Sequence, residues 1–307
     1  MKILLKLLNL RDESGATLVI VALSMVALMG FATLTIDGGR LYSEKSKLQK
    51  AMDATVLAGA QGLRTSQARA RELAEEVSDK NGFKVSASEV TFPAGDSIKA
   101  KKELNVPMTF ARVIGINDAT VSATATAKVA PLTKASGIAP IVIEESNIPS
   151  ATVLNCGETN PGTLQGNCGY LQSAASNIRE GLENGATYEV GKTVWTDPGG
   201  SVGQVDQAVE YLINSDSDKP HCQSASTADN LCKRVITVVV IEEWKDVNGK
   251  EVKGKSELKV KYFASYWLEK YEDKKLYGKF IKMIAPGEIG SGTGIGEYGL
   301  YGVKLIE

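Results

Sequence analysis

Residues Ala16 to Ile36, ATLVIVALSMVALMGFATLTI, form an uncharged apolar run that constrains this chain more than any other feature. At a rise of about 1.5 Å per residue the run makes a helix roughly 31 Å long, which matches the hydrocarbon core of a bilayer. Since no other stretch could cross a bilayer, the reading is a chain tethered by one transmembrane helix. A secretory signal peptide would have an apolar region of only about 7–15 residues, closed by a small-x-small cleavage site. Here the run passes into Asp37-Gly38-Gly39-Arg40-Leu41 without such a site. A soluble core helix would show a polar face, and this one offers only Ser24 and three threonines.

Lys2, Lys6 and Arg11 precede the run and Arg40, Lys45, Lys47 and Lys50 come after it, so counting positive charges does not set the orientation. The short leading tail, 1–15, and the cysteines point the bulk of the chain outward, away from the cytoplasm. Cys156, Cys168, Cys222 and Cys232 all lie far downstream, and an even count confined to one region suits disulfides outside the cytoplasm. Pairing Cys156 with Cys168 and Cys222 with Cys232 closes two short loops rich in turn residues; two other connectivities remain formally open. Zinc asks for thiolates in C-x2-C type spacing, whereas these gaps are wider and irregular and the sequence has one His, His221. With 35 basic against 36 acidic residues there is no basic field for nucleic acid. No cofactor is expected.

Leu41, Leu48, Met52, Thr55 and Val56 recur near helical spacing, so the membrane helix is predicted to continue outward to about Gly62. Its surface is crowded with Ala51, Ala54, Ala58, Gly59 and Ala60, small residues that let another backbone approach. That backbone is either the chain's own sheet or a second copy of the helix, giving a homo-oligomer. A second amphipathic helix is signalled over 66–79, with Ser66 as N-cap and Asn81-Gly82 as the stop. Strand signals come next at 83–92 and 103–110, and Val121, Ala123, Ala125, Ala127 and Val129 alternate with polar residues, the mark of a half-buried strand. Residues 37–130 therefore read as a helix laid on a small sheet. PLTKASGIAP, 131–140, has the composition of a linker.

Residues 141–307 read as a β-rich extracytoplasmic domain, with strands at 141–143, 188–195, 235–244, 257–268 and 279–284. VITVVVI at 235–241 is apolar on both faces and suggests a central buried strand. Val247-Asn248-Gly249-Lys250 signals a hairpin joining 235–244 to 257–268. Val205, Val209, Leu212 and Ile213 line one face of a helix over 201–214. The fold class is α+β: a transmembrane helix, 16–36, continuing into a helix-on-sheet unit, then a β-rich domain.

Several stretches carry a family resemblance. Glu13-Ser14-Gly15-Ala16-Thr17, then Ile36-Asp37-Gly38-Gly39-Arg40-Leu41-Tyr42, Leu48-Gln49-Lys50-Ala51-Met52-Asp53-Ala54 and Leu57-Ala58-Gly59-Ala60 resemble the N-terminal module of the TadE/TadG-like pilus-assembly proteins of the tight-adherence (Flp) system. Val106-Pro107-Met108-Thr109-Phe110, Ile114-Gly115-Ile116 and 121–127 resemble the segments downstream of that module in many members, so the likeness covers about the first 130 residues. The resemblance implies a non-enzymatic bacterial envelope protein with one membrane helix and other pilus-assembly proteins as partners. Pilins and processed pseudopilins carry a Gly before the cleavage site and a Glu five residues into the mature chain. Here Glu13 precedes the run and position 8 is Leu, so the anchor is expected to stay intact. Some larger relatives carry an Asp-x-Ser-x-Ser metal motif; Asn214-Ser215-Asp216-Ser217-Asp218 does not match it, and no metal site is carried over.

Two enzyme motifs compete with that reading. Gly199-Gly200-Ser201-Val202-Gly203 spells G-x-S-x-G between a predicted strand and helix, with Asp206, Asp216, Asp218 and His221 after it in triad order. This is the alternative of a membrane-tethered hydrolase using Ser201 and His221. The alternation of strands and helices that should precede such a serine is missing, and Pro198-Gly199-Gly200 reads more simply as a turn with Ser201 as N-cap. Gly294-Ile295-Gly296-Glu297-Tyr298-Gly299 spells G-x-G-x-x-G, but no helix comes after it to hold a pyrophosphate, so it reads as a loop before a strand at 303–306. The expectation is a non-enzymatic anchored protein of pilus assembly or surface adhesion; a surface-binding protein unrelated to pili is a further alternative. Asp37, Arg40, Ala51, Ala54 and Ala58 are the expected helix contacts.

Overall fold

The apolar run does form a helix. A computed structural model, which describes residues 13–156, 166–172, 177–197, 202–290 and 295–306, carries α1 (Glu13–Ala32) through a π-helical segment (Thr33–Asp37) into α2 (Gly38–Gly62) without a break. The hydroxyls of Thr33 and Thr35 donate to the carbonyls of Met29 and Phe31, both at 2.9 Å. Back-bonding of this kind satisfies hydroxyls where water is scarce and loosens the helical ladder locally.

Beyond the π segment one face of α2 is covered by protein. Leu48, Met52, Val56 and Ala60 are fully buried against the sheet and against α3 (Gln67–Lys80). Ser66 caps α3 by accepting from the Arg69 amide at 3.1 Å. The two helices approach at glycines: a Cβ on Gly62 would lie 2.6 Å from the Ala70 backbone. Gly62→Val should therefore force the pair apart and cost about 2–3 kcal/mol, read as a lower midpoint in thermal unfolding followed by circular dichroism.

Thirteen strands are present among the described residues. β1 (Val90–Ala94), β2 (Ser97–Pro107) and β3 (Asp118–Glu144) form an antiparallel ladder under α2 and α3. The others are β4 (Val153–Leu154), β5 (Cys168–Tyr170), β6 (Ala186–Glu189), β7 (Thr193–Trp195), β8 (Val235–Ile241), β9 (Glu257–Lys259), β10 (Tyr262–Glu272), β11 (Lys275–Ile281), β12 (Glu288–Ile289) and β13 (Tyr301–Ile306), with α4 (Ile178–Asn184) and α5 (Val202–Asn214) between. The main order is β1-β2-β3-β8-β10-β11-β4, and β5, β6, β12 and β13 also pair with β3. β3 with β8 is the parallel pair, and β7 with β9 makes a separate two-stranded sheet.

β8 is buried on both faces, as its unbroken apolar run requires. Ile236, Val238 and Val240 join a core under α4 and α5, while Val239 and Ile241 join a second core on the opposite face. The residues 131–140 are not a linker. They continue β3 from the first ladder into the second, with Leu132, Ala135 and Ile138 buried. Pro131 and Pro140 fit because their carbonyls accept, from Gly290 and Leu171, where no amide is needed. Gly137, at φ +76°, sits where the register shifts. The Asn248-Gly249 turn forms, with the Asp246 carboxylate accepting from the amides of Asn248 and Lys250. The strands it joins pair as expected, β8 running antiparallel to β10 with Val240 opposite Tyr262, while the short β9 between the turn and β10 is diverted to β7.

Candidate functional site

A specific contact lies where the apolar helix leaves off. Asp37, 3% exposed, turns its carboxylate onto the hairpin between β2 and β3. Oδ1 accepts from the Thr109 amide at 2.8 Å, and Oδ2 accepts from Phe110 at 2.9 Å and Ala111 at 2.7 Å. Three successive amides pointing at one carboxylate form the start of a 3-10 turn, Ala111–Ile114, so the side chain caps a second element as well as ending the apolar run. The arrangement needs no proton transfer. It fixes the angle at which the helix enters the head.

Before Asp37 the environment is wholly different. Leu18, Val26 and Phe31 are 72%, 70% and 67% exposed, and the apolar window of the helix is bare of protein. A helix this long and apolar fits a single-pass membrane protein. Past Asp37 the other expected helix contacts separate. Arg40 is exposed, Ala51 is buried in the core beneath the helix, and Ala54 and Ala58 are half-buried on its flank. Gln49 adds a polar tie, donating to the Thr124 carbonyl at 3.0 Å and to Asp53 at 2.9 Å.

At the far end of the head a second node surrounds a disulfide. Cys222 is bonded to Cys232, and Cys156 to Cys168, with no free cysteine among the described residues. The first of these bridges closes the loop between α5 and β8; the second joins β5 to the chain after β4, inside the core under α4 and α5. Arg234, 5% exposed, donates to the carbonyls of Leu268 and Glu269 and to Gln223 Oε1, with its guanidinium 4.6 Å from the centre of the Trp267 ring. Trp267 in turn donates to the Cys222 carbonyl at 2.8 Å. Asp216, fully buried, accepts from the Arg234 amide at 2.8 Å and pairs with Lys219 at 2.7 Å. Burial works against its charge, yet Lys219 and the amides of Arg234 and Lys233 outweigh that and hold its carboxyl below the usual carboxylate range. Asp216 is thus engaged in structural contacts, with Lys219 and the Arg234 amide.

Gly199, Gly200, Ser201 and Gly294 lie outside the described residues. The strand before that serine, β7, pairs with β9 away from the main sheet, which is not the setting of a nucleophile elbow. His221 is exposed, 3.6 Å from Asp229 Oδ1 and 3.3 Å from Cys222 Sγ. His221, Cys222 and Cys232 lie close enough together to suggest a metal, but the two sulfurs are bonded to each other and offer no thiolate.

Four tyrosines, Tyr170, Tyr188, Tyr262 and Tyr266, sit in the cores of the head. Burial pushes Tyr188 up to about 12 and moves the other three upward as well. The fold holds these phenols neutral, so their contribution to stability is intact below the ordinary tyrosine value of 10 and is lost as pH climbs from there toward the folded values. In a spectroscopic alkaline titration these four should stay silent near pH 10 in the folded protein and titrate with the rest in denaturant.

The comparisons with known proteins meet this geometry at one place. Residues 15–62 match the model of the Tad family, described as Flp pilus-assembly TadE/G-like. The matched stretch is the apolar helix, the π segment with Asp37, and α2, and it includes none of the sheet. No curated protein and no solved structure matches the chain. The match supports a pilus-related envelope protein.

Proposed function

We propose that this chain is a non-enzymatic, membrane-anchored envelope protein that acts in assembling or anchoring thin Flp-type pili, with its head outside the cytoplasm. The observation that carries the reading is the coincidence of the family match with the anchor and its outward continuation, residues 15–62. Two disulfides in the head favour an oxidising compartment. Asp37 gives the anchor a rigid mount, which suits a part that bears force between a membrane and a filament. The partners are the membrane and other pilus-assembly proteins, and the half-exposed Ala54 and Ala58 flank offers a place for a second copy of the helix.

The test is made in the producing cell, with a tag after residue 306. Protease added to cells stripped of wall or outer membrane should digest the tag, a non-reducing gel should show both bridges, and crosslinking should recover pilus components. Deletion should abolish sheared surface pili, and the intact gene should restore them. A protected tag with four free thiols would invert the topology and sink the reading; normal piliation in the deletion strain would leave an anchored protein with another role.

A further inference from the structure

Apolar side chains displayed together on a stiff turn call for an occupant, because water is their costliest neighbour. Val113, Ile114 and Ile116 are 77%, 71% and 49% exposed at the tip of the β2–β3 hairpin. The turn beneath them is tied by backbone bonds: the amides of Val113, Gly115 and Ile116 donate to the carbonyls of Phe110, Arg112 and Ala111, and that of Met108 to Asn117. Gly115, at φ +89°, makes the reversal that only a residue without a Cβ takes easily. Met108 and Ala111 are buried, and Asp37 holds the amides of 109–111.

The position of the tip is set by the packing. Gly59 of α2 packs on Ile98 at the start of β2. About 33 Å of helix separates Gly59 from Asp37 at 1.5 Å per residue. β2 then runs back from Ile98 to Pro107, so the hairpin descends alongside α2 and its tip ends level with Asp37. The uncharged run stops at Ile36. The tip therefore stands at the height where the hydrocarbon begins, and the exposed Arg40 and Arg112 stand at the same level.

We propose that residues 112–116 form a second membrane contact, with Val113, Ile114 and Ile116 seated in the headgroup–acyl boundary of the bilayer that α1 crosses, and Arg40 and Arg112 meeting lipid phosphates. The inference rests on the reading of α1 as a membrane anchor, with which the tip is continuous through Asp37. A single helix leaves a head free to tilt; a helix and an inserted turn, locked together by one carboxylate, set the direction in which α2 leaves the surface.

The full chain reconstituted in phosphatidylcholine vesicles containing phosphatidylglycerol tests this. Single thiols from Leu23→Cys, Ile114→Cys and Lys99→Cys would carry an environment-sensitive fluorophore, read against lipids bearing nitroxides at different depths. The expected result is deep quenching at 23, a blue shift with strongest quenching by a label about 5–10 Å below the headgroups at 114, and no quenching at 99. Quenching at 23 with position 114 behaving like 99 overturns the second contact and leaves the anchor standing. No quenching at 23 removes the anchor reading and the inference with it. A blue shift at 114 without lipid quenching, accompanied by crosslinking between copies, assigns the tip to a protein neighbour and also overturns it. A Val113→Asp, Ile114→Asp double variant labelled through Ile116→Cys should melt as the parent does and lose the blue shift.

Discussion

Asp37→Ala should release the hairpin tip from the helix while leaving α1 in place. The carboxylate is the acceptor for three successive amides, and Ala111 is itself 4% exposed, so its N–H has no easy route to water. Amide exchange measured on the reconstituted chain should show protection at 109–111 falling by at least about tenfold, the loss expected for one ordinary hydrogen bond apiece. Asn at this position keeps one acceptor oxygen but aims an NH2 group at the amides, so it should rescue only part of the protection. Glu carries the same charge one methylene further out and should rescue little, since both oxygens are placed to within a hydrogen-bond length. Unchanged exchange in Asp37→Ala would mean that the hairpin holds its position through Met108 and the core alone.

The second large effect is expected at Arg234→Ala. Truncation strips the Leu268 and Glu269 carbonyls and Gln223 of their donor and removes the cation stacked on Trp267. The two orphaned carbonyls at about 1–3 kcal/mol each, with the lost stacking and with the exposed Gln223 left to water, put the destabilisation at about 3–5 kcal/mol in chemical denaturation. Arg234→Lys keeps the charge without the planar fork and should recover less than half of that. Because Trp267 also holds the Cys222 carbonyl, its fluorescence reports whether the disulfide loop shifts with the arginine.

The features legible in the sequence were the local ones. The helical spacing up to Gly62, Ser66 as a cap, the alternation from Val121 to Val129, the doubly apolar 235–241 and the turn at Asn248-Gly249 each depend on neighbours a few residues away. Pro131, Gly137 and Pro140 misled because punctuating residues in a short polar stretch look like a connection. Here each sits where β3 bulges or where only its carbonyl is used. The parallel pairing of β3 with β8 was out of reach, because an apolar run does not name its partner. Asp37 was expected as a helix contact. Its acceptor role was not, since the amides it meets belong to a hairpin far along the chain and backbone donors carry no sequence signature.

β13 gives the architecture a consequence in time. It pairs residue for residue with 126–131 of β3, while Arg64, in the turn after α2, stacks over Tyr301 and donates to the Glu297 carbonyl. During synthesis the anchor and the first ladder emerge well before this strand exists, and until it arrives the backbone of 126–131 presents an open edge. A chain threaded across a membrane from its anchored end would hold that edge exposed throughout export, available to a chaperone or to another chain's strand. Arrival of 301–306 closes it, so completion of the anchored half is signalled by the far half of the same polypeptide.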